Sequence, residues 1–254
     1  MMGALYAACG TLFTFLMTSL GAALVFCFRR SVGERAQRAC LGFAAGVMLT
    51  AAMAGLLLPA FSAPHGLFMA LPGAILGGFL VSGLDRIVPH LHRLAGVEQE
   101  EHSHNQGVGK VLLFVSAIAL HKIPEGLATG VSFGTGELGE VLTVAGSICL
   151  QNIPEAVVMV APLFAIGVAT RRILGIALGI GLASMACVFG GYALVSLFSA
   201  IAPLLLAIAG GAMLYVISDE MIPETHAHGY EKEATFALMG GTLLVLALQS
   251  LLAA

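Results

Sequence analysis

Two short polar stretches of similar pattern lie thirty residues apart within apolar surroundings. The first, His-Lys-Ile-Pro-Glu-Gly, begins at His121, and the second, Gln-Asn-Ile-Pro-Glu-Ala, begins at Gln151. In a helix, residues four apart share a face, so His121 lies beside Glu125 and Gln151 beside Glu155. Imidazole nitrogen and carboxylate or amide oxygens suit a borderline divalent cation, whose charge two carboxylates would balance. The spacing therefore predicts a metal site between two facing helices.

The two stretches also allow interpretations other than a metal site. A metalloprotease would need HExxH, in which two histidines hold the metal while the glutamate activates water, and neither stretch contains it. A serine hydrolase would need a GxSxG turn between a strand and a helix. Neither stretch contains one, and the letters occur only at Gly130–Gly134, within and at the end of an apolar span. The polar groups could also bond to one another across a helix interface without any function. Several ionisable groups at one membrane depth are costly, however, and therefore favour a functional site. Because neither stretch contains a catalytic motif, we expect that the protein is not an enzyme.

The composition is that of a membrane protein. Hydrophobic residues make up 59% of the 254 residues and charged residues 10%, with a mean hydropathy of +0.98, whereas soluble domains are about 25% charged. We therefore predict an all-α polytopic membrane protein. Nucleic acid is excluded as a partner because no basic patch lies outside the loops. The five cysteines show no CxxC spacing and are interpreted as packing thiols.

Eight apolar segments are long enough to cross a bilayer, which takes about 20 residues. They are residues 4–28, 39–61, 66–88, 109–133, 140–165, 172–198, 202–223 and 233–253, within one domain of residues 1–254. The first segment has no basic residues before it, so we expect a retained span and not a signal peptide. Ten of the eleven Lys and Arg residues lie in or beside alternate connections, those after spans one, three, five and seven, and the eleventh is Lys122 inside span four. This places both termini outside the cytoplasm, in a protein expected in the cytoplasmic (inner) membrane.

One long polar connection, residues 89–109, is expected on the cytoplasmic side. It contains His90, His92, His102 and His104 together with three glutamates. Such a mixture suits Zn²⁺ or a similar ion. A solvated linker can have the same composition, so both interpretations stay open.

The motifs and their surroundings resemble the ZIP (Zrt/Irt-like protein) family of divalent metal transporters, in its GufA-type branch. The resemblance extends over essentially the whole chain, including the Gly-Phe-Ala-Ala-Gly-Val-Met run that ends at Met48 and the run from Gly211 to Glu224. It implies eight helices arranged three, two, three, with the outer triplets as inverted repeats. It also implies import of Zn²⁺, or of Fe²⁺, Mn²⁺ or Cd²⁺, as a substrate, with no organic cofactor.

The same resemblance implies which residues bind the ion. The primary site maps onto Met48, His121, Glu125, Gln151 and Glu155. Asp219 and Glu220 map onto a step of the cytoplasmic exit path. For Met48 an alternative stands, because a methionine in an apolar helix is usually a packing residue.

The chain departs from the family where many members hold a second metal ion. Those members use an Asn after the motif histidine, an Asp or Asn in span five and a Glu in span six. Here Lys122 follows His121, residues 173–200 contain no acidic residue, and only Asn152 remains. Lys122 lies too deep in its span to reach an interface easily. We predict that its ammonium, held by carboxylates, replaces the second ion and leaves a single-metal site.

The predicted function is transport by an elevator-type displacement of one helix bundle against another. The alternative is a membrane metal sensor or metal-binding interaction protein that uses the same site without transport. The lipid bilayer is the expected surrounding, and a homodimer is a candidate assembly.

Overall fold

A computed structural model describes residues 2–28, 32–94, 106–135, 138–226 and 229–252, and within these residues the chain is helical, with no strand. Counting each uninterrupted run once, these residues form eight helices. They are α1 (Met2–Phe28), α2 (Glu34–Ser62), α3 (Gly66–Leu94), α4 (Gln106–Thr135), α5 (Leu138–Ala165), α6 (Thr170–Leu197), α7 (Ser199–His226) and α8 (Glu231–Leu252). The all-α prediction is confirmed.

The helices on either side of the predicted polar loop are longer than their apolar segments. Helix α3 continues to Leu94 and α4 begins at Gln106, so both extend into the segment predicted as a loop, residues 89–109. Hydropathy marks the edge of a membrane, whereas a helix can continue into water where the residues permit it. The boundaries of this loop were therefore predicted too wide.

Six helices of the described chain are long and apolar enough to cross a membrane. They are α2, residues 66–84 of α3, residues 141–165 of α5, α6, α7 and α8, and a shorter apolar helix covers Gly10–Phe26 of α1. Large apolar side chains point outward from several of them, for example Phe68, which is 80% exposed, and Phe236. An outward apolar surface of this kind suits hydrocarbon as the surrounding solvent. The chain is a polytopic membrane protein.

The helices pack in two groups of four. In one group α2 packs against α8 and α3 against α7, and in the other α4 packs against α6 and α1 against α5 and α6. Between the groups, α5 contacts α2 and α4 contacts α7. The two motif helices, α4 and α5, therefore belong to the same group and also face the other one.

Glycines allow the closest helix pairings. A Cβ atom at Gly46 of α2 would overlap the backbone carbonyl oxygen of Leu238 in α8. One at Gly211 of α7 would likewise overlap the carbonyl oxygen of Ala74 in α3. Small residues at such positions let helix backbones approach closely in a membrane, where dispersion contacts drive association.

We expect Gly46→Leu to destabilise the protein by roughly 1–3 kcal/mol, because the added side chain forces α2 and α8 apart. Thermal unfolding in detergent measures this. Gly175→Leu on α6 is the matched control, since a Cβ there meets no atom within 4 Å. Equal melting temperatures for the two variants would contradict the close approach of α2 and α8.

In the part of the chain that the structure describes, two helices contain a π-helical segment, Ala51–Leu57 in α2 and Ile217–Met221 in α7. A π turn changes the direction of the side chains that it carries and often occurs at functional sites. In α7 this segment carries Asp219 and Glu220, so it determines where these two carboxylates point.

Candidate metal site

The two motifs face each other across α4 and α5 and form one buried polar cluster. Its members are His121, Lys122, Glu125, Gln151, Asn152 and Glu155, each no more than 5% exposed. A proline directly precedes each glutamate and lies inside its helix. Proline removes one helical hydrogen bond, so each helix also has a local break in its backbone ladder at the cluster.

Lys122 occupies the centre of this cluster. Its Nζ donates to Glu125 Oε2 at 2.6 Å, to Asn152 Oδ1 at 2.8 Å, and to Glu155 Oε2. The three hydrogens of the ammonium group thus all have acceptors. Two carboxylates beside one ammonium compensate its buried charge, which otherwise would be very costly.

Helix α1 sets the orientation of Asn152. The amide Nδ2 of Asn152 donates to the backbone carbonyl oxygen of Thr14 at 3.5 Å, which leaves Oδ1 for Lys122. Sequence reasoning missed Thr14. A signal was present, because Thr11, Thr14 and Thr18 recur at helical spacing in an apolar helix, and all three are buried.

Several polar atoms of the cluster have no partner among the described residues. They are Glu125 Oε1 and both amide atoms of Gln151, Oε1 and Nε2. Buried polar atoms without partners are rare and costly, and each calls for an explanation. A bound cation would provide one for the two oxygens, because both can act as ligands.

His121 is turned toward the other helix group. Its Nε2 lies 2.8 Å from Oε1 of Glu220 on α7. The side chain of Glu220 is 25% exposed, and the neighbouring Asp219 is exposed. Of the two residues placed on the exit path by resemblance, Glu220 thus contacts the buried cluster and Asp219 lies at the surface, and their exit-path role stays a prediction. Within the described chain no three His, Cys, Asp or Glu side chains are gathered as a metal cage, because His121 faces Glu220 and the other carboxylates face Lys122.

Met48 on α2 is 1% exposed and lies in the main apolar core. Its helix packs against α5, which carries Gln151 and Glu155. A ligand role and a packing role both fit this position. Of the loop histidines, His102 and His104 lie outside the described residues, and the side chains of His90 and His92 are likewise not described, so their metal binding stays a prediction.

Comparison with known proteins finds zinc transporters among the relatives of this chain. Residues 98–249 match the family model described as ZIP Zinc transporter. The zinc transporter ZIPB of Bordetella bronchiseptica is 37% identical over 97% of this chain and 81% of its own length. The zinc transporter GufA of Myxococcus xanthus is 42% identical over 69% of this chain and 68% of its own length. The human zinc transporter ZIP11 is 30% identical over 94% of this chain and 95% of its own length.

These matches define a multi-pass membrane transporter and not an enzyme. The chain belongs to the ZIP zinc transporter family.

Proposed function

We propose that this protein carries divalent transition-metal ions, above all zinc, into the cytoplasm through the cluster between α4 and α5. The observation that carries the proposal is a set of buried polar groups inside two apolar helices, with oxygens of Glu125 and Gln151 left without protein partners in the described chain. Ionisable groups at this depth mark ion pathways. The zinc-transporter relatives support zinc, and a nitrogen and oxygen ligand set also suits Fe²⁺, Mn²⁺ and Cd²⁺.

In this proposal the ion is held by His121, Glu125, Gln151 and Glu155, with the Met48 thioether as a fifth ligand. A thioether added to nitrogen and oxygen ligands favours softer ions such as Cd²⁺ over Mn²⁺. From here the ion passes Glu220 and Asp219 toward the cytoplasm.

We propose further that the site holds one ion, because Lys122 takes the place of a second. Its ammonium already bonds to both carboxylates and to Asn152. A second divalent ion would have to displace it from three acceptors. The tethered charge also offsets surplus negative charge when the site is empty.

The helices are proposed to form two inverted repeats, α1–α3 and α6–α8, around α4 and α5. Exchanging α1 with α6, α2 with α7, α3 with α8 and α4 with α5 turns each main packing pair into another. The pair α2–α8 becomes α7–α3, and α1–α5 becomes α6–α4. The π segments of α2 and α7 also correspond. Such symmetry supports alternating access by displacement of one helix group against the other.

Metal uptake into sealed proteoliposomes tests the function. We expect zinc to accumulate inside vesicles that contain the protein, and a comparison with Fe²⁺, Mn²⁺ and Cd²⁺ gives the preference. Metal that binds to the purified protein but does not enter vesicles would instead support a membrane metal sensor. A homodimer is the candidate assembly for either function.

The proposed orientation in the cytoplasmic membrane places the α2–α3 turn outside and the start of α2 inside. A cysteine at Ser62 should react with a membrane-impermeant maleimide on intact cells, whereas one at Gly33 should react only after lysis. Both positions are exposed, so accessibility to water, and not burial, decides the outcome. Labelling in the reverse pattern would overturn the orientation.

A further inference from the structure

The contact between His121 and Glu220 joins the two helix groups at the cluster. His121 Nε2 lies 2.8 Å from Glu220 Oε1, and because a carboxylate oxygen accepts, Nε2 is taken as the protonated nitrogen that donates. His121 is in α4, whereas Glu220 is in the π-helical segment of α7. The remaining polar members of the cluster all lie on α4 and α5. Glu220 is therefore the carboxylate through which α7 reaches the histidine.

A histidine that binds a metal through one ring nitrogen usually donates the N–H of the other to a carboxylate, a carbonyl or water. This second contact fixes the tautomer and the orientation of the ring. In neutral His121, a hydrogen on Nε2 leaves the lone pair on Nδ1. The nitrogen available to an ion in this arrangement is thus Nδ1.

We propose that Glu220 is a positioning residue, which holds the Nε2–H of His121 so that Nδ1 binds the transported ion. The inference rests on the proposed function, since it takes His121 as a ligand. This role is separate from the exit-path role, in which Glu220 contacts the ion only after the ion has left the cluster. It makes α7 a determinant of affinity while the ion is held between α4 and α5.

The position of Glu220 gives this contact a consequence for transport. Because α4 and α7 belong to different groups, a displacement of one group against the other separates His121 from Glu220. The ring then loses the support that favours metal binding, and the affinity of the site falls. The affinity is therefore coupled to the relative position of the two groups.

Nitrogen NMR of the full chain labelled with ¹⁵N-histidine tests which atom binds. The His121 signals are assigned by their loss in His121→Asn, and zinc is then added to the unmutated protein. We expect the Nδ1 signal to move to a metal-bound shift while Nε2 stays protonated. Binding at Nε2 would overturn the inference and leave the site intact, whereas no response from either nitrogen would remove His121 from the site itself.

Uptake kinetics provide an independent test. Glu220→Ala should raise the KM for zinc by roughly 10- to 100-fold. Glu220→Gln should raise it less, because the amide oxygen still accepts the Nε2–H. Glu231→Gln, an exposed carboxylate at the start of α8, is the charge-matched control and should leave KM unchanged.

The direction of the change separates the roles of Glu220. A lower KM would show that Glu220 competes with the ion for His121. An unchanged KM with a lower maximal rate would show a ligand of the exit path. Either result overturns the positioning role, and if the variants fail to fold, the NMR measurement on the unmutated chain still decides it.

Discussion

Replacement of Glu155 by alanine is expected to abolish zinc uptake by the folded protein, with a loss of at least about 100-fold. The change removes a proposed ligand and also one of the three acceptors of Lys122. Loss of a group that merely supports a metal ligand typically costs about 10- to 100-fold in metal affinity or activity, so loss of a ligand itself should reach at least the upper end of that range. Zinc uptake into proteoliposomes, normalised to the amount of folded protein, measures the loss.

Glu155→Gln and Glu231→Ala are the controls for this variant. The glutamine keeps the volume and one acceptor oxygen but loses the charge, so we expect a smaller defect than with alanine. Glu231 is exposed at the start of α8, and its replacement should leave uptake unaffected. Normal uptake by Glu155→Ala would remove the cluster between α4 and α5 from the transport path.

Lys122→Met is expected to destabilise the metal-free protein and to let a second ion bind. The methionine approximates the length of the side chain but leaves Glu125 and Glu155 buried without their cation. We expect a loss of roughly 3–5 kcal/mol without metal. Zinc should restore stability to a larger extent than in the unmutated protein, because the ions then supply the missing charge.

Two measurements check this expectation. Melting temperatures with and without zinc report the stability, and elemental analysis of the purified protein reports bound zinc. The loop histidines contribute equally to both proteins, so the readout is the difference in bound zinc between Lys122→Met and the unmutated protein. We expect one more zinc ion per chain in Lys122→Met. Lys232→Met, an exposed lysine at the start of α8, is the matched control. Equal zinc contents in the two proteins would refute the single-metal proposal.

The sequence by itself determined the membrane character, the helical class and the composition of the cluster. Apolar runs of about 20 residues leave helices as the ordinary way to satisfy the backbone in hydrocarbon. The spacing of His121 and Glu125, and of Gln151 and Glu155, is local, so the shared helix faces follow from helix geometry alone. The partners of Lys122 were also foreseeable, because a buried ammonium needs carboxylates and only a few occur at its depth.

Tertiary structure decided the contacts made by distant helices. Glu220 reaches His121 through the packing of α7 against α4 and through the π turn, which depends on its surroundings and has no simple sequence signature. Thr14 orients Asn152 because α1 packs on α5. The extension of α3 to Leu94 also escaped prediction, since hydropathy reports the membrane edge and not the helix end. Each of these features depends on contacts between residues far apart in the chain or on backbone continuity, and local residue patterns carry little information about either.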